Sequence, residues 1–323
     1  MENNQYTYAV ARIRSKELSL LSKQFLEQLL AAKSYEDSLR LLQDKGWGGR
    51  SEKQTAAEIL KDERDKIWDL LGELVEDMSV LDVFLLKNDY HNLKAAIKQK
   101  YTNTEVPNIY ISYGTVDIDA INKAVEEKDF SQLPEYMQEC AVEAYEVLMR
   151  TGDGQLCDII IDKGALEAIY KTGRSSKNQL ISMYAEFEVA KCNINIAVRG
   201  CNTRKGIDFF ERAIVVCDSL DSEKLIEAAL ISQDAIYEYL KTTVYEDAIQ
   251  ALKNSFSAFE LWCDNLVIEK IRPEKYNPFT IAPLVAYVIA RENEIKVVRI
   301  ILSGKLNSIS DNVIRERLRE MYV

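Results

Sequence analysis

One histidine, His91, serves the whole chain, so there is no HExxH site and no arrangement that needs a second imidazole. The ExxH pair of a di-iron bundle fails as well, because position 88 is Asn. A lone His of this kind is more often a surface or interface residue than a catalyst. The glycines assemble into neither GxxxxGK[ST] nor GxGxxG, and Gly152-Asp153-Gly154 reads as a turn rather than a phosphate cradle. Two carboxylate pairs, Glu186/Glu188 and Glu292/Glu294, lie two residues apart, which on a helix aims them to different sides. Six cysteines form no CxxC pair and no zinc-like spacing, so free and mostly buried thiols in a reducing cytoplasm are expected. These residue types point to a binding or structural protein rather than an enzyme.

The basic residues form the one pattern left to interpret. The stretch Ala290–Lys305 (ARENEIKVVRIILSGK) can be laid over 190–205 (AKCNINIAVRGCNTRK) and over 89–103 (DYHNLKAAIKQKYTN). In each copy a polar anchor, Asn92, Asn193 or Glu294, is followed by an aliphatic residue and then by a cation, Lys98, Arg199 or Arg299. The anchors recur at intervals of 101 residues. The pattern predicts three similar units, 1–112, 113–213 and 214–323. Two shorter echoes support it: Tyr35-Glu-Asp with Tyr245-Glu-Asp, and Cys157-Asp with Cys263-Asp. Each copy brings a basic cluster: Lys94, Lys98 and Lys100; Arg199, Arg204 and Lys205; Arg299 and Lys305. Cations at helix C-termini complement the macrodipole; the alternative is a basic collar open to acidic partner groups. The anchors themselves either hydrogen-bond between helices or line a cavity.

Few glycines and prolines, 12 and 5, with abundant Leu, Ala, Glu and Lys, favour helix throughout. Helical spacing is expected over Ser15–Leu30 and, as one long element, over Glu52–Leu86. Helix starts are expected at Ser34, after Leu133-Pro134 and at Asp221, with Asn108–Val116 an extended linker. Ile309–Val323 reads as a charged terminal helix. The net charge of −11 repels phosphate backbones, which argues against nucleic acid as a partner. The polar start of the chain lacks the apolar region of a signal peptide, and the longest apolar run, Phe279–Ala290, is too short to span a bilayer.

The opening TYAVARIRSKE with its Leu-rich continuation, RENEIKVVRIILSGKLN at 291–307 and the ending VIRERLREMYV at 313–323 resemble the C subunit of V-type (V/A-type) ATPases and ATP synthases. The chain is similar also to the d subunit of eukaryotic vacuolar ATPases. The resemblance implies an all-α, funnel-shaped protein of three units about a pseudo-threefold axis. It implies a cytoplasmic position in the central-stalk rotor, between the membrane ring of proteolipid (c/K) subunits and the shaft of subunits D and F. It further implies a protein that takes part in proton or sodium transport without catalysis, cofactor or membrane span of its own. Candidate partner-binding residues are then the basic clusters together with Arg315, Arg317 and Arg319, which would also clip the third unit onto the first. A generic helical adaptor is the alternative, but its repeats would be about 34–47 residues long. An all-helical enzyme using carboxylates comes third.

Overall fold

The computed structural model describes residues 6–49, 51 and 54–323, and these form helices with no strand. In order they are α1 (Thr7–Glu17), α2 (Lys23–Leu30), α3 (Tyr35–Asp44), α4 (Ala56–Leu74), α5 (Asp82–Thr102) and α6 (Ile118–Glu127). There follow α7 (Glu135–Thr151), α8 (Gly154–Ser175), α9 (Gln179–Asn202), α10 (Ile207–Ala213) and α11 (Ser222–Ile231). The last are α12 (Gln233–Leu240), α13 (Ala248–Asn254), α14 (Phe256–Ile271), α15 (Ala282–Leu306) and α16 (Asp311–Arg315). The chain is all-α, as its composition predicts.

Most starts have a local cause. Ser34, Asp153 and Asp221 accept first-turn amides as N-caps, and Thr55 forms a capping box with Glu58. Pro283 occupies the first turn of α15, where its missing N–H costs nothing. Three expectations need correction. Ser15–Leu30 is not continuous, because Ser22 caps α2 and the chain turns at 18–22. The long element over 52–86, whose first two positions lie outside the described residues, breaks where Val75 takes an extended conformation. A 3₁₀ turn, Met78–Leu81, then leads into α5. No Gly or Pro marks that break. The terminal helix stops at Arg315, and the remainder runs to Val323 without helix.

The chain divides into two compact bodies. One joins the first 78 residues to 250–323, and the other is the continuous stretch 79–249. In the first body α15 packs against α1, α2, α3, α4 and α14. It is apolar on all sides over Ala282–Ala290, as a helix enclosed by neighbours must be. In the second body α5 packs on α6, α7 and α8, while α9 packs on α8, α11 and α12. The three helices that carry the anchors are thus the central elements of their surroundings.

Candidate partner-binding surface and its buried anchors

The anchors are buried, at 0%, 1% and 2% exposure for Asn92, Asn193 and Glu294, so none of them lines an open cavity. Their partner is extended main chain rather than another helix. Asn92 Nδ2 donates to the Ile111 carbonyl at 3.0 Å, and its Oδ1 accepts the Ile111 N–H at 2.9 Å. Asn193 does the same for Val215, donating at 2.6 Å and accepting at 3.0 Å. A carboxamide has one donor face and one acceptor face, so it replaces both bonds that a neighbouring strand would give. In both cases the clamped residue lies six positions before an aspartate N-cap, Asp117 of α6 or Asp221 of α11. Glu294, lacking a donor, makes a single main-chain bond and accepts the Leu21 N–H, one residue before the Ser22 cap of α2.

Neighbouring carboxylates extend each clamp. Asp89 accepts the Thr115 and Val116 amides at 2.9 and 3.1 Å, and a Cβ on Gly114 would collide with its Oδ1. Burial raises the pKa of Asp89 against the pull of these bonds. Glu186 accepts the Ser219 amide at 2.8 Å. Glu294 pairs with Arg291, which also holds Glu63, and all three are buried. Glu63 accepts the Gly48 amide at 2.8 Å, at a left-handed turn (φ +85°) that suits glycine. Burial drives the Glu294 carboxyl up to about 7, against the lowering effects of Arg291 and the Leu21 amide. Glu292 points elsewhere and meets Arg64 at 3.3 Å, so the two members of this pair do face different sides.

Several of the basic residues bond within the chain. Lys94 and Lys98 of α5 pair with α8 carboxylates, Lys94 with Asp162 at 2.5 Å and Lys98 with Asp158 at 2.6 Å. Lys305 is enclosed and donates to the Ala32 carbonyl at 2.7 Å, just past the end of α2. Lys205 donates to Gln155 at 3.1 Å and lies over the Phe209 ring. Arg319 is buried against Asp264 at 2.9 Å, and Arg315 reaches Glu27 of α2 at 3.0 Å. Lys100, Arg199, Arg204, Arg299 and Arg317 are exposed. Lys100 and Arg199 stand in the last turns of α5 and α9, where the helix dipole favours a cation. The two helices also end alike. Thr102 and Thr203 donate to the Lys98 and Arg199 carbonyls at 2.9 Å, and Asn103 and Arg204 follow with φ of 49° and 52°.

His91 is exposed, with Nε2 2.9 Å from the Ile109 carbonyl. All six cysteines are free thiols, and burial pushes Cys192 and Cys217 up to about 11, which leaves little thiolate. Among the described residues no helix is long and apolar enough to cross a membrane.

The arrangement defines an all-helical protein whose buried polar groups serve its own main chain, with exposed cations on the helices that carry the anchors. The sequence profile of the ATP synthase (C/AC39) subunit matches residues 9–317. The chain belongs to that family. It is 23% identical to the C subunit of the V-type sodium ATPase of Enterococcus hirae, over 96% of this chain and 97% of that protein. It is 22% identical to the C subunit of the A-type ATP synthase of Methanocaldococcus jannaschii, over 97% and 86%. With the C subunit of the V-type ATP synthase of Thermus thermophilus the figures are 24%, 90% and 91%.

Sequence reasoning found the anchors but missed their partners. A signal was present, since each anchor sits among apolar residues on a long helix and so had to be buried and satisfied. What it bonds lies 19 residues on for Asn92, 22 for Asn193 and 273 back for Glu294, with no common offset to read.

Proposed function

We propose that this chain is the central-stalk rotor subunit of a V-type (V/A-type) ATPase. In this reading it sits at the cytoplasmic face of the membrane, on the ring of c/K proteolipids, and receives the shaft made of subunits D and F. It passes torque between them during ATP-driven or ATP-forming ion transport and has no active site of its own. The observation that carries the reading is the family match over residues 9–317, with relatives aligned over nearly their full lengths.

The threefold division at 1–112, 113–213 and 214–323, around an open funnel, belongs to the same proposal. It is supported by three buried anchors 101 residues apart, each clamping the main chain that enters a capped helix. The third anchor serves the start of the chain, which is what a closed set of three would require. Stiff helical packing also suits a torque coupler, because close-packed interiors transmit strain.

The test is a pull-down of the purified protein with its host's isolated D–F shaft at low and moderate salt. One-to-one, salt-sensitive binding weakened by Arg199→Glu or Arg299→Glu is the expected result, and it supports both the coupling role and an exposed basic collar. Binding indifferent to both changes keeps the role and removes the collar. Failure to bind shaft or ring under any condition overturns the role.

A further inference from the structure

In the body formed by the two ends of the chain, a groove of about 360 Å³ runs between α4 and α15. Two stripes with the same spacing make up most of it, with Tyr35 of α3 and Ala56 beside them. Ala57, Leu60, Lys61 and Arg64 come from α4, and Arg299, Leu302, Ser303 and Leu306 come from α15. Each stripe follows i, i+3, i+4, i+7, so each presents one face for about two turns, roughly 10 Å. The floor is apolar, with Leu306 left 64% exposed, and the charged lining is Lys61, Arg64 and Arg299 with no carboxylate. Two larger clefts differ from it. One is lined in part by Glu105, Asp119 and Glu126, the other by Glu139, Glu143, Glu167 and Glu211.

In a chain with 52 acidic and 41 basic residues, an acid-free lining is a local reversal of charge. Arg64 reaches Glu292 at 3.3 Å and Lys61 pairs with Asp65, both outside the lining. Arg299 makes no ion pair among the described residues, and partial burial and the nearby Arg64 charge lower its pKa more than the Glu292 carboxylate raises it. An anion placed between the two guanidiniums would relieve that repulsion.

We infer that this groove seats an amphipathic helix of the shaft partner, one whose apolar stripe is flanked by carboxylates. The inference rests on the coupling role proposed above. An apolar floor two turns long suits anchors at helical spacing, and the basic rim selects acidic flanks. A free small anion would leave the floor uncovered.

The experiment measures affinity of the full chain for the isolated D–F shaft, using Ala57→Glu, Leu306→Ser and Arg299→Glu. All three sites are exposed, and urea unfolding checks that each variant keeps the parent's stability. The expected result is at least a tenfold loss of affinity for each, with a shallower salt dependence for Arg299→Glu. Shaft binding unchanged in all three overturns the groove while leaving the coupling role intact. No shaft binding by the parent chain overturns both. A parallel measurement uses vesicles of phosphatidylglycerol and phosphatidylcholine. Vesicle binding lost in the variants while shaft binding persists would assign the groove to lipid and overturn the inference.

Discussion

Asn92 and Asn193 show why an amide suits the anchor position: it satisfies a donor and an acceptor of buried main chain and brings no charge. Glu294 does a similar job with a carboxylate, and the exchange has consequences. An ionised side chain at 2% exposure needs compensation, which Arg291 supplies, and Arg291 in turn is shared with Glu63 and lies over the Trp47 ring. Removing one member of such a buried set leaves an uncompensated charge, whereas the complete set is tolerated. The cost appears as a titration. The Glu294 pKa stands at about 7 in the fold against an ordinary value of 4.5, with burial as the first cause. A carboxyl raised on folding binds more protons in the native state. Its contribution is therefore fully present below 4.5 and is lost as pH rises through about 7. Glu294→Gln keeps an acceptor for the Leu21 amide but cannot ionise. Urea unfolding at steps from about pH 4.5 to about pH 8 should show the parent losing stability relative to this variant, by on the order of 3 kcal/mol in total. A difference that is flat with pH would mean that Glu294 stays charged throughout.

The segment after α16 shows how an element without regular structure can be held as firmly as a helix. Asn293 donates to the Glu320 carbonyl at 2.9 Å, and Asn265 accepts the Glu320 amide at 2.8 Å. Arg272 and Lys275 donate to the Met321 and Tyr322 carbonyls at 2.9 and 2.6 Å. Met321 and Tyr322 are buried, and the Tyr322 hydroxyl lies 3.4 Å from Glu17 of α1. The strap thus joins α1 to the α14–α15 region. Ending the chain at Arg315 should lower the unfolding free energy by on the order of 4 kcal/mol, from two lost large side chains. Arg315→Ala, which loses the exposed pair with Glu27 and the exposed hydrogen bond to Asn312, should cost less than about 1 kcal/mol. Equal losses in thermal unfolding would refute this division of roles. The sequence announces this region only halfway. Its Arg and Glu spacing reads as a charged helix, but backbone bonds to Asn265, Arg272, Lys275 and Asn293 hold residues 320–322 outside any helix instead. Elements with local causes were legible: the Ser34 and Asp221 caps, the Pro134 restart before α7, and the first turn of α15 at Pro283. The break after Leu74 was not, because nothing in Val75–Asp77 forbids helix and the turn there marks the edge of a compact body. Among the candidate basic residues, helical position was legible. Which cations were already committed was not, since Asp158, Asp162, Asp264 and the Ala32 carbonyl are remote in sequence.

The two bodies differ in how the chain builds them, and that difference is open to experiment. Residues 79–249 form one body from a continuous stretch, so every clamp in it, Asn92 on Ile111 and Asn193 on Val215 included, closes within that stretch. The other body joins α1–α4 to α14–α16 across more than half the chain. Its core depends on α15, whose buried residues face α1, α2, α3 and α4 together, and on the Glu63–Arg291–Glu294 set drawn from both ends. Without α15, the fragment 1–78 has lost the surface that its apolar stripes cover, and Glu63 has lost its arginine. The fragment 79–249 is therefore expected to fold alone, with a single cooperative urea transition and helical circular dichroism. The fragment 1–78 alone should lack such a transition, and mixing it with 250–323 should restore both helicity and cooperativity. If 1–78 unfolds cooperatively by itself, α15 is not the shared core described here. If 79–249 fails to fold, the two bodies depend on one another despite the separate packing of each. The same chain logic bears on the rotor role. A protein whose first and last helices share one core cannot be pulled apart at its ends without exposing α15, which is a useful property in a part proposed to carry torque.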